Sequence, residues 1–181
     1  MKVFTLGYQG LDLGAYTREL VKVGARTVLD VREKAWSNKP DFVKSTLQSG
    51  LAVAGVGYTH LPRAGNPSQI RKAAKSPDEC LSTYRQYLNR NTVAVEELYS
   101  FVRMAFESGR TACLLCYERN PWECHRSVLI EFLLEIDGSL QPIHLPFKSS
   151  TELRPFESLP VRSASLLKSA FVNPLFLPSV E

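Results

Sequence analysis

The sequence predicts an α/β protein: a doubly wound, mostly parallel five-stranded sheet in a Rossmann-like three-layer sandwich, with an extra helical segment before the fourth strand. Three observations carry that expectation. Short apolar runs alternate with longer segments of helical period as far as residue 147, and strands separated by helices pair in parallel. The run TVLDV (27–31) is almost continuously apolar, as befits a strand covered on both faces. Right-handed crossovers then place helices on both sides of the sheet.

The elements follow in order. KVFTLG is a β-branched and apolar run that ends in the turn GYQG. Leu13, Tyr16, Leu20 and Val23 share one helical face, and Gly24 stops that helix. After TVLDV and the loop WSNKP, Asp41 is placed to cap a helix over DFVKSTLQ. GYTHLP (57–62) is the third strand. Helices open at Pro67 or Ser68 and at Pro77, and a third spans Val93–Ser108. RTACLLCY (110–117) is the fourth strand, CHRSVLIEFLLE the last helix and LQPIHL (140–145) the fifth strand. The simplest strand order is 3-2-1-4-5. Residues 1–147 form this domain. Residues 148–181 differ in character, with Pro155, Pro160, Pro174 and Pro178 among Phe156, Leu166, Leu167, Phe171 and Phe176. They are expected to form a packing tail, against the domain or as a homodimer contact.

Composition narrows the class. The chain has 181 residues, 44% hydrophobic and 22% charged, which suits a folded globular domain. No apolar stretch approaches the roughly 20 residues that cross a membrane. The start, MKVFTLGYQG, does not resemble a secretory leader. Cys80, Cys113, Cys116 and Cys124 read as free thiols of a reducing cytoplasm. Cys113 and Cys116, three apart along a strand, are separated by about 10 Å, beyond the roughly 7 Å limit for a disulfide. The net charge is +4. Its excess sits in residues 63–90, where Arg63, Arg71, Lys72, Lys75, Arg85 and Arg90 face only Asp78 and Glu79. That segment reads either as a solvated helical face or as a nucleic-acid footprint.

Ligands of open α/β sheets bind beyond the carboxyl ends of the strands. Strand one delivers Gly7 and Tyr8 there, strand two Asp30 and Arg32, strand three His60, and strand four Cys116 and Glu118. The following helix begins with Cys124, His125 and Arg126. Its N-terminus favours anions, and a cysteine at that place is expected to carry a lowered pKa. The segment CYERNPWECHRS (116–127) is the densest piece of potential chemistry in the chain.

The pieces TLGYQG, LDVREKAWSNKPDF, YTHLPRAGNP and LLCYERNPWECHRS resemble a family called domain of unknown function 488. The resemblance covers about residues 3–147. It implies an α/β sandwich and recurring polar positions at Gly7, Tyr8, Asp30, Arg32, His60, Cys116, Glu118, Cys124, His125 and Arg126, and it brings no settled activity. Gln9 departs from the acid or serine often found there, and Ala64 from a larger apolar residue.

Three readings stay open. In the first, the protein is an enzyme on a phosphate-bearing or otherwise anionic substrate, a nucleotide or nucleic acid. Arg32 and Arg126, with Gly7, Tyr8 and His60, bind that substrate; Asp30, Glu118 or His125 serves as acid or base, and Cys116 or Cys124 as nucleophile. No GxxxxGK[ST] or GxGxxG loop is present, and Cys116 and Cys124 stand at the wrong spacing from Arg126 for a Cys-x5-Arg phosphatase loop, so neither P-loop ATP hydrolysis nor a dinucleotide cofactor is implied. In the second, the domain is a nucleic-acid-binding module that stacks bases on Tyr84 and Tyr87. In the third, Cys116, Cys124, His125 and His60 hold a metal. Against that last set, neighbours on a helix such as Cys124 and His125 point about 100° apart, and the Cys-x7-Cys spacing fits no standard zinc knuckle.

Overall fold

The computed structural model describes residues 1–145. The tail expected at 148–181 lies outside the described residues. Five strands, β1 (Lys2–Gly7), β2 (Ala25–Asp30), β3 (Gly57–His60), β4 (Thr111–Cys116) and β5 (Gln141–His144), form one sheet. Every pairing in it is parallel. Among the described residues six helices accompany them: α1 (Leu13–Lys22), α2 (Lys44–Val53), α3 (Ser68–Ala73), α4 (Pro77–Asn89), α5 (Thr92–Glu107) and α6 (His125–Ile136). None of the described helices is long and apolar enough to cross a membrane.

The strand order is β3-β2-β4-β1-β5, not the simple 3-2-1-4-5. The strand TACLLC is buried along nearly its whole length, and that apolar load takes the central place between β1 and β2. The connection from β1 to β2 therefore passes over β4. Pro142, which has no N–H for a ladder, sits on the edge strand β5.

Alternation along the strands separates two cores. Phe4, Leu6, Val28, Cys113 and Leu115 face Tyr16 and Leu20 of α1 and Leu47 and Leu51 of α2. Val3, Leu29, Ala112 and Leu114 face residues of α4, α5 and α6, including Leu88, Leu98 and Leu129. The sheet is thus the middle layer of three. It also follows that the chain winds one way through α1 and α2 and back through α3 to α6 on the other face. The reversal falls between β1 and β4, whose following loops diverge to opposite faces, and such a point opens a crevice at the carboxyl strand ends.

Two local expectations change. Asp41 does not cap its own helix: it lies in a short 3-10 turn, Pro40–Phe42, and the helix starts later, at Lys44. Its carboxylate instead accepts the N–H of Leu13 at 3.2 Å, beside Asp12, which accepts from Ala15 at 2.6 Å. Two acids thus meet the free N–H groups of α1. Tyr84 is a core side chain, and Tyr87 is half-buried against the same core. The Tyr84 hydroxyl donates to the Ala64 carbonyl at 2.7 Å. Arg71 and Arg85 of the basic segment pair with Glu33 and Glu131.

Candidate thiol, imidazole and carboxylate centre

The end of β1 touches the end of β4, with Gly7 opposite Cys116. The pairing continues past the strands: Tyr8 N–H donates to the Cys116 carbonyl at 3.1 Å and Gln9 N–H to the Tyr117 carbonyl at 2.8 Å. Gln9 returns its side-chain oxygen to the Arg119 N–H at 2.9 Å. A side chain at position 7 has no room, because a Cβ there would sit 1.7 Å from the Glu118 carbonyl oxygen and 2.9 Å from an Arg126 nitrogen. Glycine is what lets the loop after β4 fold down over the strand ends.

Arg126 holds that loop from the other side. Its side chain is 1% exposed. Its guanidinium donates to the carbonyls of Glu118 and Arg119, at 2.5 and 3.0 Å, and to the Thr5 hydroxyl at 3.3 Å. These bonds fix the main chain at Glu118 and bring its side chain back toward the strand end. Arg32 is also engaged inside the chain. It meets Asp30 through two parallel bonds, 2.8 and 2.6 Å, and donates to the Tyr8 hydroxyl and the Phe42 carbonyl, at 3.1 and 2.9 Å. Asp30 accepts the Tyr58 hydroxyl as well, at 2.6 Å. Tyr8 is buried, stacked on Phe42 at 4.1 Å between ring centres. Every guanidinium nitrogen of Arg32 and Arg126, the two side chains expected to receive an anion, thus has a partner within the chain.

Four other side chains do converge. One ligand atom from each of Cys116, Glu118, Cys124 and His125 lies within 4.8 Å of all the others. Cys116 Sγ stands 3.1 Å from Glu118 Oε2 and 3.5 Å from His125 Nδ1, and Cys124 Sγ 3.9 Å from the same nitrogen. His125 Nε2 donates to the Val31 carbonyl at 2.7 Å. That bond places the ring proton on Nε2, so the Nδ1 lone pair faces both thiols. The Tyr84 ring packs edge-on against the imidazole at 5.4 Å.

The objection that neighbouring helical residues diverge does not apply here. Cys124 is not helical. It has φ −119° and ψ 139°, extended backbone at the N-cap of α6, while His125 begins the helix. The short turn Pro121–Glu123, opened by proline and capped by the Asn120 side chain, delivers it there. N-cap side chains ordinarily accept a helix N–H, yet Cys124 makes no such bond and turns its sulfur to the cluster. His60, the fourth member of the metal set weighed from sequence, is not in the group. Its Nε2 lies on the Arg32 carbonyl at 2.9 Å, and Glu118 takes its place.

The electrostatics are those of a buried site. Burial, and then Cys116, push the Cys124 thiol well above its ordinary value. This corrects the expectation of a lowered one, because desolvation outweighs the helix end. Cys113, on the opposite face of β4, is pushed up to about 12 by burial. Burial works against the Glu118 carboxylate, but hydrogen bonds from Cys124 and Cys116 hold its pKa below the usual range. Burial also opposes charge on His125, and its bonds to Cys124 and the Val31 carbonyl raise its pKa despite this.

The fold and site define a class: a doubly wound α/β domain with a thiol, imidazole and carboxylate cluster at its switch point. The chain belongs to the family Domain of unknown function DUF488, whose model matches residues 13–133. That span holds all four members of the cluster and leaves out Gly7 and Tyr8. No curated protein and no solved structure matches the chain.

Proposed function

We propose that the protein is a metalloprotein that binds a zinc-like divalent ion at the cluster of Cys116, Glu118, Cys124 and His125. The observation that carries this reading is the meeting of four ligand atoms of zinc chemistry within 4.8 Å. A tetrahedral zinc with Zn–S about 2.3 Å and Zn–N about 2.1 Å spaces sulfur and nitrogen roughly 3.6 Å apart. The sulfurs lie 3.5 and 3.9 Å from His125 Nδ1, so binding asks for little rearrangement. Two thiolates and an imidazole favour zinc over the harder magnesium or calcium. The Val31 carbonyl supplies the outer hydrogen bond that metal-binding histidines need. A bound cation deprotonates its thiols outright, so the raised pKa of the Cys124 thiol in the chain alone is no obstacle.

Metal analysis of the full-length chain purified from zinc-supplemented medium tests this. About one zinc per chain is expected. Cys124→Ser should lose it, and Cys113→Ser should keep it. A folded wild-type chain without metal, and without affinity for zinc in competition with a chelator, refutes the reading.

A second reading is supported by the 3.5 Å approach of Cys116 to His125: a thiol nucleophile served by an imidazole base. It predicts activity and thiol reactivity that survive chelation. An anionic substrate is compatible with either chemistry, but its recognition then falls to groups other than Arg32 and Arg126. The nucleic-acid-binding reading loses Tyr84 as a stacking group, since that side chain is buried.

A further inference from the structure

We propose that this centre is catalytic and hydrolytic: Cys116, Cys124 and His125 hold the ion, water occupies the fourth position, and Glu118 takes the proton from that water. The proposal rests on the metal reading above and assigns the four side chains unequal roles.

The first difference is support. Cys116 ends a central strand, Cys124 is the N-cap of α6 and His125 its first residue. All three are buried, and His125 is clamped to Val31. Glu118 stands in the loop, two residues beyond the strand, and is partly exposed. Arg126 fixes its carbonyl rather than its carboxylate. Three rigid ligands and one partly exposed carboxylate are what an open zinc site requires, whereas structural sites close all four positions.

The second difference is distance. Glu118 Oε2 is 3.1 Å from Cys116 Sγ, the length of a hydrogen bond that the protonated thiol donates. Once metal takes that proton, the released carboxylate stands within reach of a water in the fourth position.

The third observation is the rim. Tyr117, 44% exposed, leads into Glu118 and packs edge-on to Tyr8 at 5.3 Å. Tyr117 thus presents an exposed aromatic face beside Glu118, and flat unsaturated groups pack well on such faces.

The reaction balances with water as the only co-reactant. Glu118 accepts a proton from the bound water, and the hydroxide adds to the carbon of a C=O or C=N group in an amide, amidine or ester. The π pair moves onto the oxygen or nitrogen, which the ion stabilises. The tetrahedral intermediate then expels an amine or alcohol, which takes its proton from Glu118. Nothing is oxidised or reduced.

Cobalt(II) titration of the full-length wild type, Glu118→Ala and Cys124→Ser, followed by acetohydroxamate, tests the assignment. Wild type and Glu118→Ala should each bind one cobalt, with affinities within about tenfold, while Cys124→Ser should weaken binding more than about a hundredfold. Acetohydroxamate should change the cobalt visible spectrum of wild type by displacing water. If Glu118→Ala loses as much affinity as Cys124→Ser, or if acetohydroxamate leaves the wild-type spectrum unchanged, the centre is a closed structural one and the proposal falls while the metal reading stands. The second arm uses wild type alone, so it holds even where a variant fails to fold. A folded wild type that takes up no cobalt overturns both.

Discussion

Replacing Gly7 by alanine should cost more than any other single-methyl addition to the described strands. The new Cβ would lie 1.7 Å from the Glu118 carbonyl oxygen. Ordinary carbon–oxygen contact is near 3.2 Å, so the loop after β4 must retreat by about 1.5 Å, and main chain on both sides leaves no flexible atom to yield. Overpacking of this kind costs about 1–3 kcal/mol. The retreat also breaks the bond from Arg126 to that carbonyl, a charged hydrogen bond worth about 1.5–3 kcal/mol. The expected total is about 3–5 kcal/mol, a large share of the roughly 5–15 kcal/mol that stabilises a domain. Urea unfolding followed by circular dichroism reads it directly. Gly57→Ala is the control: its Cβ would meet nothing closer than 3.7 Å, and it should lie within about 1 kcal/mol of wild type. A Gly7→Ala protein within 0.5 kcal/mol of wild type would show that the loop is not pinned where Arg126 holds it. Retained stability with intact metal affinity would separate Gly7 from the site altogether.

Removing one member of the buried Asp30–Arg32 pair leaves the other charge uncompensated, so Arg32→Ala should destabilise by about 3–5 kcal/mol. The double change Asp30→Asn, Arg32→Met should recover a large part of this by denaturant unfolding, and an equal loss in both would refute the charge argument. Alkylation by iodoacetamide at neutral pH, followed by peptide mapping, should modify Cys80 first. It is the only partly exposed thiol of the four, and Cys113, Cys116 and Cys124 are buried; faster labelling of Cys124 would revive the activated thiolate. Burial, followed by the Arg126 charge, lowers the pKa of His144 to about 4. The unfolded chain therefore binds the extra proton first, and stability present above about pH 6.5 should decline as pH falls toward 4. The loss should be on the order of 1 kcal/mol after allowance for solvent screening, and His144→Gln should abolish it. A wild-type pH profile identical to that of His144→Gln would refute it.

Element types were legible because periodicity and punctuation are local. TVLDV reads as a covered strand and Pro77 as a helix start without reference to anything distant. Strand order is a property of the whole sheet. The apolar run of β4 marks a covered strand but does not say which neighbours it separates, and only packing placed it between β1 and β2. The same limit applies to Asp41. An acid before a helix is a local capping signal, whereas its bond to Leu13 joins residues 28 apart. At the site, residue types gathered at strand ends pointed to Cys116, Glu118, Cys124 and His125. Their directions were not legible, since one extended residue at Cys124 decides whether two neighbours diverge or meet. The arginines misled for a related reason. A guanidinium near a strand end suits an incoming anion and a buried carbonyl equally, and Arg126 found the carbonyls of Glu118 and Arg119. The Val31 carbonyl had no sequence signal, since every residue carries one.

That carbonyl has a consequence for how the site tolerates change. His125 is oriented by main chain rather than by a side chain, so any residue at position 31 that preserves the strand end offers the same acceptor. A substitution scan would report position 31 as a packing position, tolerant of other apolar side chains and indifferent to chemistry. The imidazole's tautomer is therefore insulated from genetic drift at the residue that sets it. To disturb it requires moving the backbone, by an insertion or deletion near the end of β2 or by a proline that bends it, and such changes would register as loss of the ring's orientation with all four cluster residues still in place.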